Sequence, residues 1–243
     1  MKAVILAAGK GSRILGITND KPKSLLPFGD TTLLGHSLAL FQEAGITEII
    51  LVTGFKRDVI RTYASDNWPG KLTIVFNPHY ASTNVLYSFW LAIPYIENDD
   101  FVFLHADTVF SKNILSNLLA CSSETDVTFT VDRHTCYEEE MKVIIEQGKV
   151  TWVTKEMPPE SADGEFLGLA LVKAAMLPSL RDVAESFFEK GNFQAFFEAA
   201  IQTLIDEQGL SVGVCDVTGL AWREVDFIED YKAALEIFFG QAY

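Results

Sequence analysis

Residues 2–13 read KAVILAAGKGSR, and the change of character inside this stretch decides how the fold begins. Lys2–Ala7 is an apolar run without alternation, the pattern of a strand buried on both faces. It runs straight into Gly9, Lys10, Gly11, Ser12 and Arg13. A tight turn needs one glycine. Two glycines around a lysine, with an arginine close behind, suit a backbone that lies against something anionic. In a parallel sheet, ligands bind beyond the carboxyl ends of the strands, which is where this loop falls.

Downstream, strand and helix patterns alternate. Thr31 or Thr32 can cap a helix carrying Leu33, Leu34, Leu38 and Phe41 on one side and stopping at Gly45. Glu48–Thr53 reads as a strand, Lys56–Ser65 as a helix, and Leu72–Phe76 as a strand. A helix follows over Val85–Ile93, ending near Pro94, then a strand over Phe101–Ala106 and a helix from about Ser111. This alternation predicts a parallel sheet with right-handed crossovers. After about residue 126 the pattern shifts to short strands at Val127–Val131, Lys142–Glu146 and Lys149–Thr154, the last two joined at Gly148. Helices over Lys173–Glu189 and Phe193–Glu207, a strand at Ser211–Cys215 and a helix after Asp226 complete the chain. No linker or internal repeat interrupts it, so residues 1–243 read as one domain: an α/β part to about residue 125, then a mixed part to about residue 225.

Against 33 acidic residues stand 19 lysines and arginines, a net charge of -14 that argues against nucleic acid as a partner. The cations nevertheless cluster early, at Lys10, Arg13, Lys21 and Lys23, as a site for a phosphorylated small molecule requires. Three scattered cysteines without a C-x-x-C pair favour a reducing, cytoplasmic setting, and no apolar run is long enough to insert in a membrane.

Alone, the glycine loop fits a solvated turn as well as a phosphate cradle. It is neither G-x-G-x-x-G nor a P-loop. A near-match to the hydrolase G-x-S-x-G elbow at Gly35–Ala39 fails because Ser37 sits within a helical pattern. His36, His79, His105 and His134 show no ligand spacing, and His105 reads as a packing residue.

The continuation DKPKSLLP, residues 20–27, changes the balance. With the strand–glycine loop it resembles the nucleotidyltransferase family that couples NTPs to sugar-1-phosphates or phosphoamines. Gly16, where members often carry proline, is a departure. The resemblance covers essentially the whole chain and implies a three-layer, mostly parallel, Rossmann-like sheet of the glycosyltransferase-A-like type with a small mixed acceptor-binding subregion. It implies that Leu6, Ala7, Ala8, Gly9, Gly11, Asn84 and Ala106 bind the nucleotide. It also implies that Arg13 and Lys23 meet its phosphates and that Lys155 meets the acceptor's phosphate. Asp107, ending the strand FVFLHAD, and Asp226, in WREVDF, match the family's two Mg²⁺ carboxylates; by itself Asp107 also reads as a turn or cap residue. Glu224 shares a strand face with Trp222 and supports the site or is a surface charge.

The stretches NPHYASTNVLYSFW, residues 77–90, and YEEEMKV, residues 137–143, are similar to phosphocholine cytidylyltransferases and their relatives. Asn84 can read a base edge, cap a helix, or both. Glu165, in a loop expected over GEFLGLAL, and the acidic run Glu138–Glu140 offer negative charge to a cationic acceptor head. Tyr87, Trp152 and Trp222, with Tyr137, are candidates for an aromatic cage around it, with ordinary core packing as the plain alternative.

The expected activity is Mg²⁺-dependent transfer of CMP from CTP, or a nucleotide from another NTP, to a phosphoamine or phosphonate with release of pyrophosphate. A sugar-1-phosphate transferase using UTP, dTTP or GTP is the alternative within the family. A catalytically silent nucleotide-binding regulator is the alternative of another class. A homodimer is compatible with either.

Overall fold

The computed structural model describes residues 1–14, 21–121 and 125–240; Gly16 lies outside them. Its elements run in the order β1 (Lys2–Ala7), β2 (Pro27–Phe28), β3 (Thr31–Thr32), α1 (Leu33–Glu43), β4 (Glu48–Thr53), α2 (Arg57–Asn67), β5 (Lys71–Phe76), α3 (Val85–Ile96) and β6 (Phe101–His105). Then come β7 (Thr108–Phe110), α4 (Lys112–Ala120), β8 (Val127–Asp132), β9 (Lys142–Glu146), β10 (Lys149–Thr154) and β11 (Gly164–Val172). The chain closes with α5 (Leu177–Glu189), α6 (Phe197–Gln208), β12 (Val212–Asp216), β13 (Trp222–Glu224) and α7 (Ile228–Phe239).

One nine-stranded sheet runs β5-β4-β1-β6-β11-β8-β12-β10-β9. Its first four strands are parallel, as the βαβ alternation requires. β11 is antiparallel to both β6 and β8 and joins that half to the mixed half. The sheet is therefore mixed rather than mostly parallel. The stretch GEFLGLAL, expected as a loop, forms most of β11, a strand buried along its whole length. Its two glycines concealed the strand. Gly168 has φ +75° where the register with β8 shifts between Phe166 and Ala170, a glycine-bearing bulge.

Helices cover both faces, and β1 shows why. Val4 and Leu6 point into a core with α3, α5 and α6, through Phe89, Leu180 and Phe197. Ala3, Ile5 and Ala7 point into the opposite core with α1, α2 and α4, through Phe41, Ile60 and Leu115. A third, smaller cluster seats α7 by Ala234 and Leu235 against Ile14, Phe28 and Val225. Pro94, expected to end α3, lies inside it. It stands two residues before the end, where it interrupts little of the hydrogen-bond ladder, and burial of Phe89, Ile93 and Ile96 favours continuation. No helix among the described residues is long and apolar enough to cross a membrane.

Candidate active site

β1 and β6 are neighbouring parallel strands, so the loops after them open at the same edge. After β1, Phe55 donates its backbone N–H to the Ala8 carbonyl at 3.0 Å. A Cβ on Gly54 would stand 2.5 Å from that oxygen, so glycine is required for the approach. Gly11 has φ +62°, and a Cβ there would meet the Cβ of Lys23 at 2.8 Å. The glycine loop is thus fitted to the lysine that follows it.

After β6 the chain turns through Asp107 into β7, which pairs with β13 so that Thr108 opposes Glu224. The Val225 N–H donates to the Asp107 carbonyl at 3.0 Å. This two-stranded ladder sets Asp226 beside Asp107, and Lys23 stands between them. Its Nζ lies 2.5 Å from Asp107 and 2.8 Å from Asp226. Burial opposes charge on Lys23, yet Asp107 and Asp226 hold its pKa above the ordinary lysine value. Burial likewise works against ionised Asp107, but the Lys23 charge outweighs it and the carboxyl sits below the usual range. Arg13 adds a second cation, 3.1 Å from Asp226 and 3.5 Å from Glu139, with its guanidinium 5.5 Å from the centre of the Phe227 ring.

Arg13, Asp107 and Asp226 border a cavity of about 330 Å³, and Lys23 is not in its lining. Leu6, Ala8, Gly9, Asn84, Lys155 and Glu224 line it as well. Ala7, Gly11 and Ala106 stand behind the lining: Ala7 and Ala106 belong to the core, and Ala106 is anchored through its N–H to the Leu6 carbonyl at 3.1 Å. Asn84 caps α3 by accepting from the Val85 N–H at 2.9 Å, and its amide nitrogen donates to the Gln194 carbonyl at 3.3 Å. Burial, then the charges of Asp107 and Asp226, push the Glu224 carboxyl up to about 8.

The four aromatics expected as a cage do not converge. Tyr87 packs with Trp90, Phe188 and Phe193, and Trp152 lines a separate groove with Met157 and Pro158. Only Trp222 and Tyr137 share a pocket, an acidic one beyond Glu224 that also contains Glu139 and Glu165. Glu165 there lies 3.5 Å from Nε2 of His134, and burial, then Glu140 and Glu224, push its carboxyl up to about 9.

Several contributors carried no recognisable signal. His105 and Glu198 line the main cavity, and His105, Asp107 and Glu224 have ligand atoms within 4.8 Å of one another. His105 is thus more than a packing residue. Asp230 accepts from the Phe227 N–H at 2.8 Å and pairs with Arg223 at 2.6 Å, bracing the Asp226 turn; an acid in the first turn of a helix was the available hint. Lys142, fully buried, donates to the carbonyls of Tyr137, Glu138 and Glu140 at 3.3, 2.7 and 3.1 Å and holds the acidic loop that faces Arg13.

Residues 3–200 match the MobA-like NTP transferase domain. The chain belongs to that family. Its mixed α/β architecture is that of nucleotidyltransferase structures. It is similar to the CMP-5'-(3-aminopropyl)phosphonate synthase of Streptomyces rubellomurinus, 28% identical over 96% of this chain and 38% of that protein. The chain therefore spans well under half of that relative's length. It is 25% identical to the CTP:phosphoglutamine cytidylyltransferase of Campylobacter jejuni, over 97% of this chain and 100% of the relative. The structure of the CTP:phosphocholine cytidylyltransferase from Streptococcus pneumoniae superposes with a TM-score of 0.80 at 25% identity, covering 97% of this chain and 98% of that one.

Proposed function

We propose that this nucleotidyltransferase moves CMP from CTP to a small acceptor carrying a phosphate or phosphonate and an amine. The observation that carries the reading is the Lys23 ammonium held between Asp107 and Asp226 beside a glycine loop. A silent nucleotide sensor has no need of two converging carboxylates at a phosphate site. The similarity to proteins named for aminopropylphosphonate, phosphoglutamine and phosphocholine favours an amine-bearing acceptor.

Two carboxylates that share one cation form a hard oxygen donor set suited to Mg²⁺. Asp107 and Asp226 would hold that ion, and it would supply positive charge to the phosphate oxygens of the nucleotide. The chain's own groups do the rest. Lys23 neutralises charge on the α-phosphoryl, Arg13 neutralises the leaving pyrophosphate, and Lys155 holds the acceptor's phosphate. An acceptor oxygen attacks the α-phosphorus in line. The new P–O bond forms as the α–β bridging bond breaks, and the electron pair leaves on pyrophosphate. A phosphate monoester has a second pKa of about 6, so the nucleophile is already ionised and needs no general base.

The test is a pyrophosphate-release screen of four NTPs against phosphoethanolamine, phosphocholine, 2-aminoethylphosphonate, glucose-1-phosphate and mannose-1-phosphate. CTP with an amine-bearing acceptor is the expected best pair. A sugar phosphate with the highest kcat/KM would overturn the acceptor class and leave nucleotidyl transfer standing.

A further inference from the structure

The lining of the active-site cavity contains a carboxylate that the described residues leave without a hydrogen bond. Glu198 lies in the first turn of α6 and is only 1% exposed. Neither of its carboxylate oxygens accepts a hydrogen bond among the described residues. The nearest basic atom is Nε2 of His105, 3.9 Å away, itself buried and without a hydrogen-bond partner. The start of a helix offers a carboxylate partial positive charge, but it does not replace missing donors. Buried oxygens without donors cost stability. That a native structure keeps two of them on the wall of a substrate cavity implies donors supplied from inside the cavity.

The surroundings select which donors. Gly168 has φ +75°, and a Cβ there would stand 2.7 Å from Nδ1 of His105, so the bulge in β11 makes room for the imidazole. Two residues before Glu198, the ring of Phe196 has the Lys155 ammonium 5.5 Å from its centre. The group proposed to hold the acceptor's phosphate therefore borders the same helix start. Three aromatic rings line the cavity, each with a partner: Phe196 lies beside Lys155, Phe166 stacks on Phe129 with centroids 4.0 Å apart, and Tyr80 is tilted against Phe55 at 6.4 Å. A quaternary ammonium is bound by several open aromatic faces and donates no hydrogen bond. An ammonium with N–H groups matches two unpaired carboxylate oxygens.

We propose that Glu198, positioned beside His105, is the counter-ion for an N–H-bearing ammonium of the acceptor, so that primary and secondary phosphoamines are preferred to phosphocholine. This rests on the reading of the chain as a cytidylyltransferase of amine-bearing acceptors. With CTP, kcat/KM for phosphoethanolamine exceeds that for phosphocholine, and that for amine-free ethyl phosphate, by on the order of tenfold or more. In Glu198→Gln both ratios fall toward unity, chiefly through the KM for phosphoethanolamine, and Glu198→Asp retains part of the preference. Thermal melting of Glu198→Gln matches or exceeds the wild type, because the amide replaces a buried carboxylate without donors. A wild-type preference for phosphocholine, or ratios that survive Glu198→Gln, overturns the assignment while cytidylyl transfer stands. Turnover of sugar phosphates alone overturns the proposed function, and this inference with it.

Discussion

The ammonium of Lys23 lies 2.8 Å from a carboxylate oxygen of Asp226, a residue 203 positions later in the chain. Asp107 approaches the same nitrogen, so two acids that line a cavity share one lysine. In the unfolded chain these charges are solvated and apart. The fold brings them together by pairing β7 with β13 and by closing the Gly11 turn against the lysine stem. Charge organised before the reaction is what phosphoryl-group chemistry draws on.

Replacing Lys23 with methionine keeps the stem and removes the charge. The expected result is a fall in kcat of about 10²–10³-fold with a smaller change in the KM for CTP, because stabilisation confined to the transition state appears in kcat. Steady-state kinetics at saturating acceptor separate the two. A change in KM alone would place Lys23 in ground-state binding.

Asp107→Asn and Asp226→Asn each leave Lys23 one acidic partner, so both variants fold. Each is expected to lower turnover by about 10²-fold or more and to move the Mg²⁺ activation curve to higher concentration. Chelation with EDTA is expected to abolish the wild-type reaction, and added Mg²⁺ to restore it. Wild-type rates in either variant at ordinary Mg²⁺ would remove that aspartate from the metal site.

Lys142→Met strips the donor from three backbone carbonyls at once. The expected loss of stability is about 2–4 kcal/mol in urea unfolding, with a rise in the KM for CTP as the Glu139 loop loosens beside Arg13. A loss below about 0.5 kcal/mol would mean that water replaces the ammonium.

His36 donates its Nε2–H to the Phe110 carbonyl at 2.9 Å and packs edge-on against Phe28 and Phe238. Burial lowers its pKa from the ordinary 6.5, and the contact with Phe110 only partly offsets this. Above pH 6.5 both folded and unfolded forms are neutral here, and the contribution is complete. As the pH falls below that value the unfolded chain takes up a proton first, and stability drops by up to about 1.4 kcal/mol per pH unit toward the folded pKa. Urea midpoints from pH 7.5 to 5 for wild type and His36→Gln give the test: the wild type loses more. Parallel curves would assign the acid sensitivity to other groups.

Local patterns were legible wherever they coincided with burial. The run Lys2–Ala7 is β1, and the periodic leucines after Thr32 form α1, whose N-cap is the Thr32 hydroxyl accepting from the Gly35 N–H at 3.0 Å. Asp107 drew notice as an acid ending an apolar strand, but alone it read as a turn or cap residue, and the family resemblance supplied the expectation of a metal carboxylate. By contrast, β11 was hidden by Gly164 and Gly168, since a glycine weakens a strand pattern even where sheet pairing requires it. The aromatic residues misled for a related reason. Tyr87 and Trp152 differ from Trp222 in what packs around them, and residue type carries no record of that.

The sequence alone determined the βαβ start and the glycine loop with its following cations, whereas the two aspartates were marked by the family resemblance. The first two are properties of short windows, set by side-chain periodicity and turn chemistry. Tertiary structure alone decided that β11 runs antiparallel between β6 and β8, that Lys23 bridges Asp107 and Asp226, and that Glu198 lines the cavity beside His105 without a hydrogen bond among the described residues. Each depends on which distant strands pair and on how much water their pairing removes. Solvation and Coulomb energies act between atoms that meet only after folding, and spacing along the chain does not encode them.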